Sequence, residues 1–314
     1  MAHDGKQLEA LVAFVERTLI PQGFTVTTND RVVNDEGVQV AEFDVIVQGK
    51  IGTGEIKWLI ECRDRPSSGA APGSWIEQLV GRRTRFNLSK VTAVSTTGFA
   101  AGVHEFAQAQ AIELREVKSL APEHFADWLK MDYITNTVRH TSLHGAYFQL
   151  PAGTSDALVE ALASLFPTFD GQRAILRSSS TGEMVSLAQA FSGVAEANQD
   201  LFEGIEVNGE AKLVRVLNQY PADDHFYVDT PAGAVTIEGI EFVGELRVLE
   251  TKLPIIHTAE YRDTKTGEYI DQVVTYAPQS IMGQKFCVEL HKLGSTGETH
   301  VTLRKLPMSG RADR

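Results

Sequence analysis

Two short apolar segments each carry an acidic residue where one would not be needed for packing. Residues 42–47 read Glu-Phe-Asp-Val-Ile-Val, with Asp44 near the start, and residues 58–65 read Trp-Leu-Ile-Glu-Cys-Arg-Asp-Arg, with Glu61 seventeen positions after Asp44. Apolar and β-branched residues dominate both runs, and turn residues close them: Gln48-Gly49 after the first, Arg65-Pro66-Ser67-Ser68-Gly69 after the second. Both are therefore expected to be strands. If they pair as neighbours, Asp44 and Glu61 meet at one end of a sheet. Two carboxylates so placed suit a hard divalent cation such as magnesium or manganese, which takes oxygen ligands and keeps several waters. The chemistry this supports is metal-assisted phosphodiester cleavage.

The surrounding pattern says which elements must position that pair. Leu8, Leu11, Val12, Val15 and Leu19 recur at helical spacing and Pro21-Gln22-Gly23 stops the run, predicting a helix over 7–20. Strands are expected near 24–28, around Asp44, around Glu61, at 91–96 and at 112–117, with helices at 75–87 and 100–110. The resulting order, α-β-β-β-α-β-α-β, implies an α/β domain with a mixed central sheet and helices on both faces. Beyond residue 120 the chain changes character. Helices are expected at 122–130, 154–166 and 183–191, and strands at 211–218, 225–229, 234–238, 240–257, 269–276, 285–292 and 299–305, divided by turns such as Lys265-Thr-Gly267 and Gly294-Ser-Thr-Gly297. This predicts three parts: an α/β domain over 1–120, a helical connecting region over 121–204, and a β-rich sandwich or barrel over 205–314, the whole second part being α+β.

Composition narrows the function classes. The 314 residues include 43% hydrophobic ones, enough for a sizeable interior, and a chain of this length favours two domains. No apolar run is long enough for a membrane span, and the N-terminus lacks the apolar core of a signal peptide. Cys62 and Cys287 supply neither a zinc spacing nor a disulfide framework, which fits a reducing cytoplasm. Net charge is −12, with −3 in residues 1–130 and −9 in residues 131–314. The acidic second half suggests a protein partner or self-association there. Arg82, Arg83, Arg85 and Lys90 crowd together after the Glu61 segment and are candidate phosphate contacts; a solvated helix face is the plainer reading of such a run. Cys62 should point away from Glu61 as a core thiol, and His140 with His144, at helical i, i+4 spacing, reads as a surface pair. No phosphate loop and no Gly-x-Ser-x-Gly elbow occurs.

Four pieces in order resemble the Mrr-like branch of the PD-(D/E)xK restriction-endonuclease superfamily: Leu8-Glu9 opening the first helix, the Glu-Phe-Asp44 strand, the Leu-Ile-Glu61-Cys-Arg63-Asp-Arg strand, and the run from Val94 to Leu114 beginning Val-Ser-Thr-Thr-Gly-Phe. The resemblance implies a restriction-endonuclease-like fold and a DNA endonuclease using magnesium or manganese, with a role in restriction or phage defence. It implies that Asp44 and Glu61 hold the metal and that Glu9 approaches from the first helix. Gln78, in the following helix, would orient a phosphate or the group at position 63. Arg63 stands where the family has lysine. A guanidinium stays protonated, so Arg63 suits a phosphate clamp and not a general base. That departure leaves a second expectation open, a nuclease fold that binds DNA or a protein without cutting.

Overall fold

The computed structural model describes residues 5–281 and 283–306. In chain order the regular elements are α1 (Lys6–Leu19), β1 (Thr25–Val33), β2 (Gln39–Ile51), β3 (Gly54–Arg63), α2 (Gly73–Arg85), β4 (Lys90–Ser95), α3 (Val103–Ala109), β5 (Ile112–Ser119), β6 (Tyr133–Gln149), α4 (Asp156–Ser164), β7 (Ala174–Ser178), β8 (Met184–Ser186), α5 (Leu187–Ala197), β9 (Lys212–Gln219), β10 (Phe226–Thr230), β11 (Gly233–Ile237), β12 (Gly239–Asp263), β13 (Tyr269–Tyr276), β14 (Gln279–Ile281), β15 (Gln284–Leu293) and β16 (Thr299–Lys305). Through β5 this is the order the sequence predicts. Among the described residues no helix is long and apolar enough to cross a membrane.

The chain folds as two units, and their boundaries differ from the sequence expectation. One unit takes the residues up to Ile134 together with those from Leu253 onward; the other is Thr135–Lys252. Strands expected in a separate β-rich domain over 205–314 instead extend the first sheet. Its order is β1-β2-β3-β4-β5-β12-β13-β15, with β14 and β16 both pairing β15. The residues from Ala259 to Asp263 lie antiparallel to β5, with Ala259 opposite Ser119 and Asp263 opposite Arg115. Sequence periodicity marks a strand but carries no information on its neighbour, so the join to β5 was invisible in the one-dimensional pattern.

Within this sheet β2 and β3 form an antiparallel hairpin closing at Ile51↔Gly54, with Gly52 at φ 59°. A positive φ at that tip is what glycine supplies without a Cβ clash. β3, β4 and β5 run parallel. All but the first residue of β4 are buried, as expected of a central strand covered on both faces. α1 covers one face, where Leu8, Val12 and Val15 pack with Val45, Val47, Ile60 and Tyr261. α2 and α3 cover the other, where Ile76, Leu79, Val103 and Ala107 pack with Ile46, Leu59, Val91 and Leu114. Gly294 follows β15 where a Cβ would lie 2.0 Å from the carbonyl oxygen of Tyr269. Gly294→Ala must push two backbones apart and is expected to cost about 2 kcal/mol, read as a lower urea midpoint; an unchanged midpoint would show the turn can give way.

The second unit carries a four-stranded sheet, β11-β10-β7-β8, while β6 and β9 each pair with β12. Its core gathers Leu162, Leu176, Leu187, Phe191 and Phe242. The helix expected at 183–191 starts later, because Ser186 caps α5 and shares a reciprocal capping box with Gln189. The connecting region expected to be helical holds the long strand β6. The helix expected at 122–130 reduces to a 3-10 turn, Pro122–Phe125. His140 and His144 sit on β6, so four residues separate them by about 13 Å along a strand and they are not a helical pair.

Candidate functional site

The backbone ladder between β2 and β3 ends at Val45↔Ile60, and the same register continued places Asp44 opposite Glu61. Here the two strands part. The Cys62 N–H donates to Asp44 Oδ2 at 2.7 Å. Asp44 also sits where the face alternation of β2 slips: Val45 packs toward α1 whereas Phe43 packs toward α2. On β1 the partners skip from Thr28↔Val45 to Asp30↔Phe43, and the intervening Asn29 has φ 53°. An irregular strand of this kind re-aims a side chain, and the result is a half-buried carboxylate fixed against the end of β3.

Glu61 is 7% exposed. Burial, then the charge of Asp44, push its carboxyl up to about 7 against the pull of Arg82, and Glu9 raises it further. Burial likewise raises Asp44, opposed by the Cys62 N–H and Arg82. Glu9, in the first turn of α1, therefore lies within electrostatic reach of Glu61, as it does of Cys62. Cys62 packs toward α1 while Glu61 faces α2, as its place in the alternation predicts, and burial pushes its thiol up.

The basic residues are placed otherwise than the sequence suggests. Arg82 turns inward and forms an ion pair with Glu61 through Nη1, which also donates to the Glu42 carbonyl at 3.2 Å. Arg83 donates to the Gln110 carbonyl at 3.0 Å, at the end of α3. Lys90 pairs with Glu113 at 2.6 Å and lies 4.1 Å from the centre of the Trp58 ring. Arg85 is exposed beside the Phe86 ring. The four do not form one phosphate-binding patch; three have specific partners inside the fold. Arg63 is half-buried and its Nε has no hydrogen-bond partner among the described residues. Gln78 is exposed one turn before Arg82 on α2, so the two share a face. The sequence offered Arg82 as a phosphate contact but gave no notice of its ion pair with Glu61 beyond the four-residue step from Gln78.

Among the described residues no group of three His, Cys, Asp or Glu side chains is arranged to hold a metal ion. A site here rests on two carboxylates, a donor set that magnesium accepts when water completes its shell. Burial first, and then the charge of Asp44, hold Glu61 near 7, and a cation beside the two carboxylates would offset both, so the residues present fit a hard divalent ion.

Residues 2–122 match the sequence model of the Mrr catalytic-domain family, described as restriction endonuclease. No curated protein matches the chain. A solved protein of unknown function, AF1548, shares 17% identity over 35% of this chain and 57% of its own, with a TM-score of 0.29. The chain thus spans little more than half of that protein's length. The expected element order, helices on both faces and the family match all fall on the same segment, consistent with a Mrr-like restriction-endonuclease domain over residues 2–122.

Proposed function

We propose that the first unit is a divalent-metal-dependent DNA endonuclease whose metal ligands are Asp44 and Glu61. The observation that supports this most is Asp44 hydrogen-bonded to the Cys62 N–H, next to Glu61 on β3, so that its charge helps hold Glu61 near 7. The chemistry supplied by bound magnesium or manganese is Lewis-acid polarisation of the phosphodiester and activation of an attacking water. Asp44 contributes a carboxylate already oriented by the Cys62 N–H. Glu61 contributes a buried carboxylate beside it, and Glu9 adds negative charge from α1. Arg63 binds a phosphate oxygen and does not remove a proton, because its guanidinium stays charged. Gln78 stands on the exposed face of α2, where it can orient the same phosphate. A role in restriction or phage defence follows by analogy of fold alone.

A second reading is a nuclease fold that binds DNA or a protein without cutting. Arg63 in the lysine position and the Arg82 ion pair on Glu61 both favour it. Supercoiled plasmid incubated with magnesium or manganese separates the two. Native protein should nick it, and Asp44→Asn, which keeps an oxygen ligand but loses charge, should be at least about tenfold slower. Plasmid left intact by native protein with either metal, yet still bound, selects the second reading.

A further inference from the structure

The geometry points to Arg82 as a built-in counter-ion that holds the metal carboxylate in place and yields it to the incoming cation. This deepens the nuclease reading and rests on it. Arg82 lies in the last turn of α2, a helix anchored by Ile76 and Leu79, and its side chain is 35% exposed. From there Nη1 reaches both Glu61 on β3 and the Glu42 carbonyl on β2, two residues before Asp44. One guanidinium therefore ties together the two strands that carry the carboxylates. A guanidinium on Glu61 occupies an oxygen that a hard cation would need, and it cannot leave by losing its proton. It can leave only by swinging away.

Its partial exposure permits that swing, and the face it shares with exposed Gln78 gives the freed fork somewhere to go, toward a phosphate. Arg63, two residues beyond Glu61 and therefore on the same side of β3, has a buried Nε with no hydrogen-bond partner among the described residues. Among them the cation hydrogen-bonded to Glu61 is Arg82 and not Arg63. Arg82 is a positioning residue for the site, acting through Glu61.

The test reads metal binding directly. Titrating manganese into native protein, Arg82→Gln, Arg82→Lys and Glu61→Gln by calorimetry, without DNA, should show Arg82→Gln binding about tenfold more tightly than native, because competition for Glu61 is gone. Arg82→Lys should behave like native and Glu61→Gln should lose binding. Binding of a duplex oligonucleotide in calcium should weaken for Arg82→Gln and be restored by Arg82→Lys. Equal or weaker manganese binding by Arg82→Gln, with native protein binding normally, overturns the counter-ion role alone. Absence of manganese binding in native protein and both Arg82 variants overturns the metal reading and this role with it.

Discussion

Glu61→Gln is expected to slow plasmid cleavage by about a thousandfold while making the protein more stable at pH 8. The first effect follows from the proposed role of Glu61 as a charged metal ligand, whose removal would cost several kcal/mol of transition-state stabilisation. The second follows from burial. The carboxyl titrates near 7 in the folded chain against an ordinary value of 4.5, so the folded state binds this proton more tightly than the unfolded one. The stability from that preference is fully present below pH 4.5 and is lost as pH climbs through 7. Glutamine carries no such pH dependence. At pH 8 the variant should gain about 2–3 kcal/mol, less what Arg82 loses with its partner, and at pH 4.5 little should change. Urea midpoints at the two pH values measure this. A lower midpoint at pH 8 would mean that the Arg82 ion pair outweighs the cost of burying the charge. Native cleavage should correspondingly rise as pH passes 7, since a ligand carboxyl must be ionised to hold a cation.

Arg115→Met should be the most destabilising single change outside the site, by about 3–5 kcal/mol, because it leaves a carboxylate buried without its counter-charge. Arg115 projects from β5, 8% exposed, and its Nη1 donates to Glu16 at 2.6 Å and to the Tyr261 hydroxyl at 2.8 Å. It thereby joins α1 to β5 and to β12. Burial raises the Glu16 carboxyl above its ordinary value, and Arg115 opposes the rise. Replacing Glu16 by Leu in the Arg115→Met background should recover most of the loss, since a well-packed apolar pair often matches a buried ion pair. A double variant no more stable than the single one would show that Arg115 acts through Tyr261 and Glu113 instead. The change should also weaken metal binding, because α1 carries Glu9.

The local elements were legible because hydrophobic period and turn residues act over a few positions. Residues 91–96 read as a short apolar strand from their composition, and Leu8, Val12 and Val15, at helical spacing, mark the buried side of α1. The strands at 211–218, 269–276, 285–292 and 299–305 lie within about a residue of those observed. The carboxylates of Asp44 and Glu61 were legible for a different reason: an acid inside an apolar strand is costly unless it has a task. Long-range pairing was not legible. Nothing in residues 253–306 says that they continue the sheet begun by residues 25–119, and a long strand through residue 252 hides the boundary between units.

By itself the sequence determined the order of helices and strands through residue 119 and the two acids set inside apolar strands. Each of these depends on neighbours in the chain, whereas the hairpin register that sets Asp44 beside the end of β3 is a matter of strand pairing. Only the tertiary structure decided what surrounds them. It turned Arg82 from a surface cation into the partner of Glu61 and set Arg83 and Lys90 to work inside the fold. It also brought Glu9 within electrostatic reach of Glu61 across more than fifty residues of chain. The physical reason is that charge and burial act through space, and which arginine reaches a given carboxylate depends on how helices pack on the sheet, which periodicity does not encode.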